Sequence, residues 1–262
     1  MSKSLKFFSV NDLGINEFFQ IEGYTLFKDL LSNEEIDFIR QEFFQIIDIL
    51  IDKYHIPVNG GSSEKRAFEV FSHNQQFRKN LYNLLQELRS INFLCSSKQF
   101  TTIFQKINLK YPVLRNQAIR IDFLQEPQFL QGIHQDVRGM RSSNCLNFWI
   151  PLQDVNDKIG TLAVYSKSHR NGGIKPKETN EFGYQVFTDQ EVAEYDRILL
   201  DMPKGSVLMF HPYLFHASFP SKESLLRLTI TLRFDDIADM EWLYNETPDF
   251  YNLDIQNRKI YK

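Results

Sequence analysis

Three potential metal ligands stand in two short stretches of the sequence. The first stretch, "GIHQDVRG" at 132–139, holds His134 and Asp136 two positions apart. The second, "FHASFP" at 215–220, sets His216 two positions before Ser218. Residues two apart share one face of an extended chain, so each stretch could present both side chains to one site. Because an H-x-D triplet also arises by chance, two polar residues on a loop rim remain an alternative for the first stretch.

Two imidazoles and one carboxylate suggest a particular kind of metal chemistry. They can occupy one face of an octahedron and leave the opposite face open, an arrangement typical of non-heme iron(II). The open positions accept a bidentate 2-oxo acid and then dioxygen. A guanidinium suits the far carboxylate of such a co-substrate, and Arg227 lies eleven residues after His216. His211 competes with His216 as the ligand, but only His216 has both Ser218 and Arg227 at this spacing.

The stretch that carries Arg227, "LLRLTITLRF" at 225–234, alternates strictly between apolar and polar residues. A strand would therefore have an apolar face and a polar face, formed by Leu226, Leu228, Ile230 and Leu232 and by Arg227, Thr229, Thr231 and Arg233. Two interpretations remain open. The strand could lie at a sheet edge with its polar side in water, or in a barrel whose polar side lines a ligand cavity.

Residues 1–110 are expected to be mostly helical. The clearest helix lies in 30–54, where Ser32 and Glu35 form a capping box ahead of a periodic apolar stripe. Residues 74–91 and 97–107 repeat the apolar spacing. These helices are expected to support a sheet that follows them in the chain.

From position 111 onward the pattern changes to short strands broken by Pro, Gly and Asn-Asp clusters. We predict strands in six stretches, at 116–124, 145–152, 161–166, 197–202, 206–211 and 225–234. Only 188–197 reads as a helical crossover, which favours antiparallel pairing in a jelly roll or barrel. The fold expected is mainly β with N-terminal helices (α+β). A single domain at 1–262 would comprise helical support at 1–110, a β core at 111–236 and a C-terminal extension at 237–262.

The composition argues against a nucleic-acid-binding, a membrane-spanning or a disulfide-rich protein. The chain has 262 residues, 42% of them apolar, and a formal net charge of -3, so neither nucleic acid nor a membrane is an expected partner. Cys95 and Cys145 are too few for a disulfide framework. No apolar leader or membrane-spanning run is evident, and a cytoplasmic protein is expected. The oligomeric state is left open.

Four segments, in order along the chain, resemble the phytanoyl-CoA dioxygenase family of iron(II)- and 2-oxoglutarate-dependent oxygenases. They read "EGYTLFKDLLSNEEIDFIRQEF", "GIHQDV", "LNFWIPLQDVNDKIGTLAVYSKSH" and "GSVLMFHPYLFHASFPSKESLLRLTITLRF". Two features depart from the family pattern: "YSKSH" stands where Pro-Gly-Ser-His is usual, and "FPSKES" lacks an Asn that often follows the distal histidine. Neither departure changes a potential ligand.

The resemblance implies a fold, cofactors and site residues. The fold would be a double-stranded β-helix (jelly roll, cupin-like) buttressed by the N-terminal helices. His134, Asp136 and His216 would bind Fe(II), and the co-substrates would be 2-oxoglutarate and O2. The 2-oxoglutarate contacts would be Arg227, Ser218, Trp149 and Gln117. The reaction implied is hydroxylation of an aliphatic C–H bond with release of succinate and CO2, because related halogenases lack the aspartate.

The substrate is expected to be a small or medium polar metabolite, with sugar-linked and anionic compounds included. Arg138, Arg141 and His169 follow the two predicted site motifs closely and are candidate substrate contacts, although solvated loop charge and a turn histidine are the ordinary interpretations. Residues 171–195 are expected to form a lid.

Two other functions remain open from the sequence. The same three ligands could serve a metal-dependent hydrolase or isomerase on a cupin-like barrel. The chain could also be a non-catalytic jelly-roll binding module whose metal site has lapsed.

Overall fold

The computed structural model describes residues 5–179 and 185–239 of the chain. Within these ranges, no helix combines the length and the apolar character that crossing a membrane requires. Of the C-terminal extension expected at 237–262, only 237–239 are described, and they form one 3-10 turn.

Six α-helices precede the main strands. The longest, α2, begins at the capping box that the sequence predicts: the Ser32 hydroxyl accepts from the Glu35 N–H, and the Glu35 carboxylate accepts from the Ser32 N–H. The helices are α1 Ile15–Glu22, α2 Asn33–Tyr54, α3 Ser63–Ser72, α4 Gln75–Leu85, α5 Arg89–Cys95 and α6 Lys98–Lys106.

Eleven strands are present in the described ranges, and most lie where the sequence predicts them. They are β1 Phe7–Phe8, β2 Tyr24–Phe27, β3 Pro112–Phe123, β4 Cys145–Pro151, β5 Leu162–Tyr165, β6 Glu178–Thr179, β7 Gln185–Val186, β8 Arg197–Leu199, β9 Val207–Phe210, β10 His216–Ser218 and β11 Leu226–Asp236. The six predicted strands correspond to β3, β4, β5, β8, β9 and β11, and the short strands β1, β2, β6, β7 and β10 lie outside the predicted stretches.

The strands form a large sheet and a small sheet that face each other. The large sheet has the order β1-β2-β9-β4-β11-β3, and the small sheet has the order β10-β5-β8. Strands β6 and β7 pair only with each other. Among the described residues, every strand pair is antiparallel except β1 with β2. This architecture confirms the jelly-roll core with supporting helices that the sequence predicts.

The helices cover the outer face of the large sheet. Apolar residues at alternate positions of β3, β4 and β11 join one core with all six helices, and those of the sheet include Ile119, Ile121, Phe148, Ile150, Leu228 and Ile230. The intervening positions of the same strands face the small sheet. Since β11 lies between β4 and β3, the edge-strand interpretation is wrong for β11, and its polar face lines an internal cavity.

The helical pattern at 74–91 divides into two helices, because the chain leaves the helix after Leu85. The Gln86 side chain then forms a hydrogen bond with the free edge of β3: its Oε1 accepts from the Ile119 N–H at 2.7 Å. This bond replaces a ladder partner that an edge strand lacks. The stretch 188–197 also differs from expectation, since it forms turns followed by β8 and not a helix.

Candidate metal centre and co-substrate cavity

The three predicted metal ligands converge on one point between the two sheets. Nitrogen and oxygen atoms of His134, Asp136 and His216 all lie within 4.8 Å of one another. The histidine Nε2 atoms lie 3.8 and 3.9 Å from the Asp136 carboxylate. The backbone sets this arrangement, because His134 and His216 exchange two N–H to carbonyl bonds, each of 3.0 Å, across an antiparallel bridge.

Each imidazole is oriented with Nε2 toward the carboxylate. The Gly132 carbonyl accepts from His134 Nδ1 at 2.7 Å, and the Leu214 carbonyl accepts from His216 Nδ1 at 3.0 Å. Because a carbonyl can only accept, both Nδ1 atoms carry the proton and both Nε2 atoms keep a lone pair. That tautomer is the one a metal ligand requires.

Burial and neighbouring charges keep the two imidazoles neutral and the carboxylate ionised, which are the protonation states that bind a cation. Burial lowers the pKa of His134 to about 3, with the neighbouring His216 adding to the effect. Burial also lowers the pKa of His216, against the opposing attraction of Asp136. For Asp136 burial alone would raise the pKa, but Arg233 and the two imidazoles outweigh it and hold the pKa well below its usual range. The cluster therefore presents two neutral imidazoles and one carboxylate near neutral pH.

Two residues outside the predicted site, Arg233 and Asn147, hold Asp136 in place. Arg233 Nη2 donates to both carboxylate oxygens at 3.0 Å, and its Nε donates to Oδ2 at 3.3 Å. The Asn147 amide donates to Oδ2 at 2.8 Å. Such partners fix the direction in which a ligating carboxylate points.

A cavity of about 160 Å³ opens beside the three potential ligands. Trp149 of β4 and Ser218 of β10 both line it, as the resemblance implies. Further polar residues of β3 and β11 share the wall, namely Arg120, Asp122, Thr229, Thr231 and Arg233. The Thr229 hydroxyl is buried and has no hydrogen-bond partner among the described residues. An unpaired buried hydroxyl on a cavity wall is what a polar ligand would satisfy.

Arg227 lies close to the cavity but is held by protein groups. Its Nε and Nη2 donate to Asp122 Oδ2 at 3.3 and 2.9 Å, and its Nη1 donates to the Thr161 and Phe219 carbonyls at 3.2 and 2.9 Å. Its side chain is 2% exposed. These acceptors leave only one N–H, on Nη2, for a ligand.

The prediction for Gln117 is wrong. Gln117 faces the helices, where its Nε2 donates to the Gln86 carbonyl at 2.8 Å and to Asn92 Oδ1 at 2.9 Å. On β3 the side chains alternate, so the cavity receives Ala118 and Arg120 while Gln117 and Ile119 point outward.

The predicted substrate contacts do not lie on the cavity wall. Arg138 and Arg141 are exposed on the loop after the metal motif. His169 is buried against the end of α1, and its Nε2 lies 3.1 Å from the Gln20 carbonyl. Burial lowers the pKa of His169 to about 4. His169 is not among the residues that line the cavity, and a role for it as a substrate contact stays a prediction.

His211 is excluded as a ligand by its surroundings. Its Nδ1 accepts from the Tyr213 backbone N–H at 3.0 Å, and its ring lies 5.6 Å from that of His169. The structure thus supports the choice of His216 over His211 that spacing suggested.

The lid expected at 171–195 is only partly described, since 180–184 lie outside the described residues. Gln135, between the two potential ligands of the first motif, anchors the beginning of this segment. The Gln135 amide donates to the Gly172 carbonyl at 2.9 Å, and its Oε1 accepts from the Ile174 N–H at 2.7 Å. Phe187 also forms a backbone bridge to Ile133. Movement of this segment remains a prediction.

Comparison with known proteins agrees with this geometry. A model of the phytanoyl-CoA dioxygenase (PhyH) family matches residues 19–224. The chain belongs to this family. Its members are iron(II)- and 2-oxoglutarate-dependent oxygenases, and the chain is accordingly a dioxygenase that uses iron, 2-oxoglutarate and O2. Family membership favours this activity over the metal-dependent hydrolase or isomerase and over the non-catalytic binding module.

Individual relatives are distant. A 1-deoxypentalenic acid 11-beta-hydroxylase of Streptomyces exfoliatus is 25% identical over 79% of this chain and 74% of its own length. The peroxisomal phytanoyl-CoA dioxygenase of Bos taurus is 23% identical over 96% of this chain and 77% of its own length. Among solved structures, the epimerase SnoN in complex with Fe3+, alpha ketoglutarate and nogalamycin RO has a TM-score of 0.57 at 14% identity, covering 92% of this chain and 91% of SnoN. This last similarity shows the fold.

Proposed function

We propose that His134, Asp136 and His216 bind the iron(II) of this dioxygenase, and that the enzyme hydroxylates an aliphatic C–H bond of a small or medium polar metabolite. Succinate and CO2 would be the co-products. The observation that carries the proposal is the convergence of the three side chains within 4.8 Å, with both Nε2 lone pairs directed at the carboxylate. The named hydroxylase among the relatives supports hydroxylation as the outcome.

Iron bound by these residues would supply the redox chemistry with dioxygen. The chain's own groups would orient the participants. The Gly132 and Leu214 carbonyls hold the imidazole tautomers, while Arg233 and Asn147 fix the Asp136 carboxylate. The enclosed space between the sheets would limit the access of water to the reacting centre.

The cavity fits 2-oxoglutarate in its chemistry. It lies directly beside the three potential ligands, and its wall includes the Ser218 side chain and the unpaired Thr229 hydroxyl. Arg227, beside this wall, would contribute positive charge and its remaining Nη2–H to the far carboxylate of the co-substrate, and Trp149 would pack against its carbon chain.

The preference for a polar or anionic substrate, including sugar-linked compounds, rests on the exposed basic loop after the metal motif. Arg138 and Arg141 are exposed and would meet a substrate as it approaches from solvent. Charge reversal at either residue should raise the KM for an anionic substrate severalfold and leave the KM for 2-oxoglutarate unchanged. An unaltered substrate KM in both variants would argue against an anionic substrate.

We also propose that the enzyme works in the cytoplasm. Cys95 and Cys145 are both free thiols, the state that a reducing compartment maintains.

Anaerobic addition of iron(II) and then 2-oxoglutarate tests the ligand assignment. The wild-type protein should develop the visible metal-to-ligand charge-transfer band of a chelated 2-oxo acid. His134→Ala and His216→Ala should lose the band while circular dichroism shows a folded protein, and His211→Ala should keep it. For the reaction itself, ¹⁸O from labelled dioxygen should appear in both succinate and product. Product free of label would refute hydroxylation.

A further inference from the structure

We propose that Arg233 places a permanent positive charge next to the metal-binding aspartate and thereby weakens the binding of iron(II). The protein would fill with iron(II) only at a higher free concentration than a site without this guanidinium. The inference rests on the proposed function, because it takes Asp136 as a ligand. Its evidence is separate and comes from the contacts of Arg233 and from the charges that line the cavity.

The Arg233 guanidinium lies against both oxygens of the Asp136 carboxylate. Arg233 shares the inward face of β11 with Thr229 and Thr231, and all three line the cavity. Its Nη2 donates to each carboxylate oxygen at 3.0 Å, and its Nε donates to Oδ2 at 3.3 Å. The side chains of Arg233 and Asp136 are only 23% and 11% exposed, so water screens their charges incompletely.

The sheet holds the guanidinium in this position. Arg233 Nη1 donates to Asn116 Oδ1 at 3.0 Å, and Asn116 is the residue opposite Arg233 where β3 pairs with β11. A guanidinium does not lose its proton in proteins. The positive charge beside Asp136 is therefore fixed in place and permanent.

The charges at the three potential ligands cancel. Asp136 contributes one negative charge and Arg233 one positive charge, while imidazoles that bind through Nε2 contribute none. Among the described residues that line the cavity, the only other carboxylate is Asp122, which Arg227 already pairs at 2.9 Å. A divalent cation on Asp136 would thus stand beside a like charge that no spare carboxylate offsets, and like charges repel strongly where water is limited.

Arg233 has two opposite effects on a metal. Its hydrogen bonds orient the Asp136 carboxylate, which favours metal binding, and its charge opposes metal binding. The charge is the larger effect because the orientation has a second source: the Asn147 amide donates to Asp136 Oδ2 at 2.8 Å and remains when Arg233 is replaced.

The test measures the dissociation constant for iron(II) by anaerobic equilibrium dialysis of the full-length protein without 2-oxoglutarate. Arg233→Gln removes the charge and keeps an amide that can donate. Its dissociation constant should fall at least about tenfold, because the repulsion is gone. Arg233→Lys keeps the charge without the fork, and it should bind iron(II) within about threefold of the wild type.

Arg66→Gln is the matched control. Arg66 of α3 is 27% exposed and forms a forked pair with Asp48 of α2, but it does not line the cavity. This variant loses the same charge and the same kind of ion pair, and its dissociation constant for iron(II) should equal that of the wild type.

An unchanged or higher dissociation constant in Arg233→Gln would overturn the inference, because orientation would then outweigh charge. Binding weakened tenfold or more in Arg233→Lys would overturn it as well, and this variant decides the question if circular dichroism shows that Arg233→Gln is unfolded. A folded wild-type protein that binds no iron(II) would instead refute the proposed function, and the inference with it.

Discussion

Replacement of Thr229 by valine should stabilise the protein without ligand and weaken its binding of 2-oxoglutarate. Thr229 is 1% exposed, and its Oγ1 has no hydrogen-bond partner among the described residues. Burying a hydroxyl without a partner costs about 1–3 kcal/mol. Valine has nearly the same shape and removes that penalty, so the free energy of unfolding should rise by about 1 kcal/mol.

The opposite effect is expected on the co-substrate. A ligand oxygen that accepts from the Thr229 hydroxyl recovers the penalty when it binds, and valine cannot donate. The dissociation constant for 2-oxoglutarate should therefore rise about tenfold, which corresponds to about 1.4 kcal/mol. Urea denaturation of the metal-free protein measures the first effect, and anaerobic titration of the charge-transfer band measures the second.

Thr25→Val is the control for this prediction. The Thr25 hydroxyl is also buried and unpaired, but Thr25 lies on β2 and does not line the cavity. Thr25→Val should raise stability in the same way and leave 2-oxoglutarate binding unchanged. A loss of stability of 1 kcal/mol or more in Thr229→Val would contradict the prediction, since it would show that the hydroxyl has a native partner. Binding of 2-oxoglutarate as tight as that of the wild type in both variants would also contradict it.

Three further predictions concern residues around the site. Asp235 is fully buried in an ion pair with Arg115 (3.3 Å), so Asp235→Ala should lower the free energy of unfolding by about 3–5 kcal/mol in urea denaturation; a loss below 1 kcal/mol would contradict this. Gln117→Ala should lower the free energy of unfolding by about 1–2 kcal/mol, because it removes two hydrogen bonds to the helices. It should leave the dissociation constant for 2-oxoglutarate unchanged. Weaker binding of 2-oxoglutarate would show that Gln117 contacts the co-substrate after all. His211→Phe should keep full iron(II) binding by equilibrium dialysis, because His211 lies outside the cluster, and loss of binding would refute that placement.

The sequence predicts two of the three converging side chains from local spacing, and their binding of iron stays a prediction. His134 and Asp136 need only a short extended segment to point the same way, and the alternation of β11 places Thr229 and Thr231 on one face whatever the strand packs against. The structure adds that this face is inward. The polar face points inward because β11 lies between β4 and β3, and the local sequence pattern does not predict this position in the sheet.

The sequence does not predict which face a side chain takes when this depends on the strand register, nor which residue it contacts when that residue is distant in the chain. Gln117 was assigned to the cavity, but a shift of one residue on β3 changes the face, and Ala118 and Arg120 are the residues that point inward. Arg227 was identified by its spacing to the distal histidine, whereas its pairing with Asp122 joins residues 105 positions apart. Sequence alone does not pair two strands that are so far apart in the chain.

The role of Arg233 could have been suspected from the sequence, since it shares the polar face of β11 with Arg227. What the sequence lacks is the position of the loop that brings Asp136 to it. The same holds for Asn147, which alternates with apolar residues on β4 but has no partner in its own segment. Long-range contacts of this kind supply the part of the site that surrounds the ligands.

A crystal structure of the protein loaded anaerobically with iron(II) and 2-oxoglutarate, with anomalous data collected at the iron edge, tests the central claim most directly. We predict one anomalous peak in bonding contact with His134 Nε2, His216 Nε2 and an Asp136 oxygen. Iron at any other position, or a folded protein whose three side chains leave the metal unbound, would contradict the account.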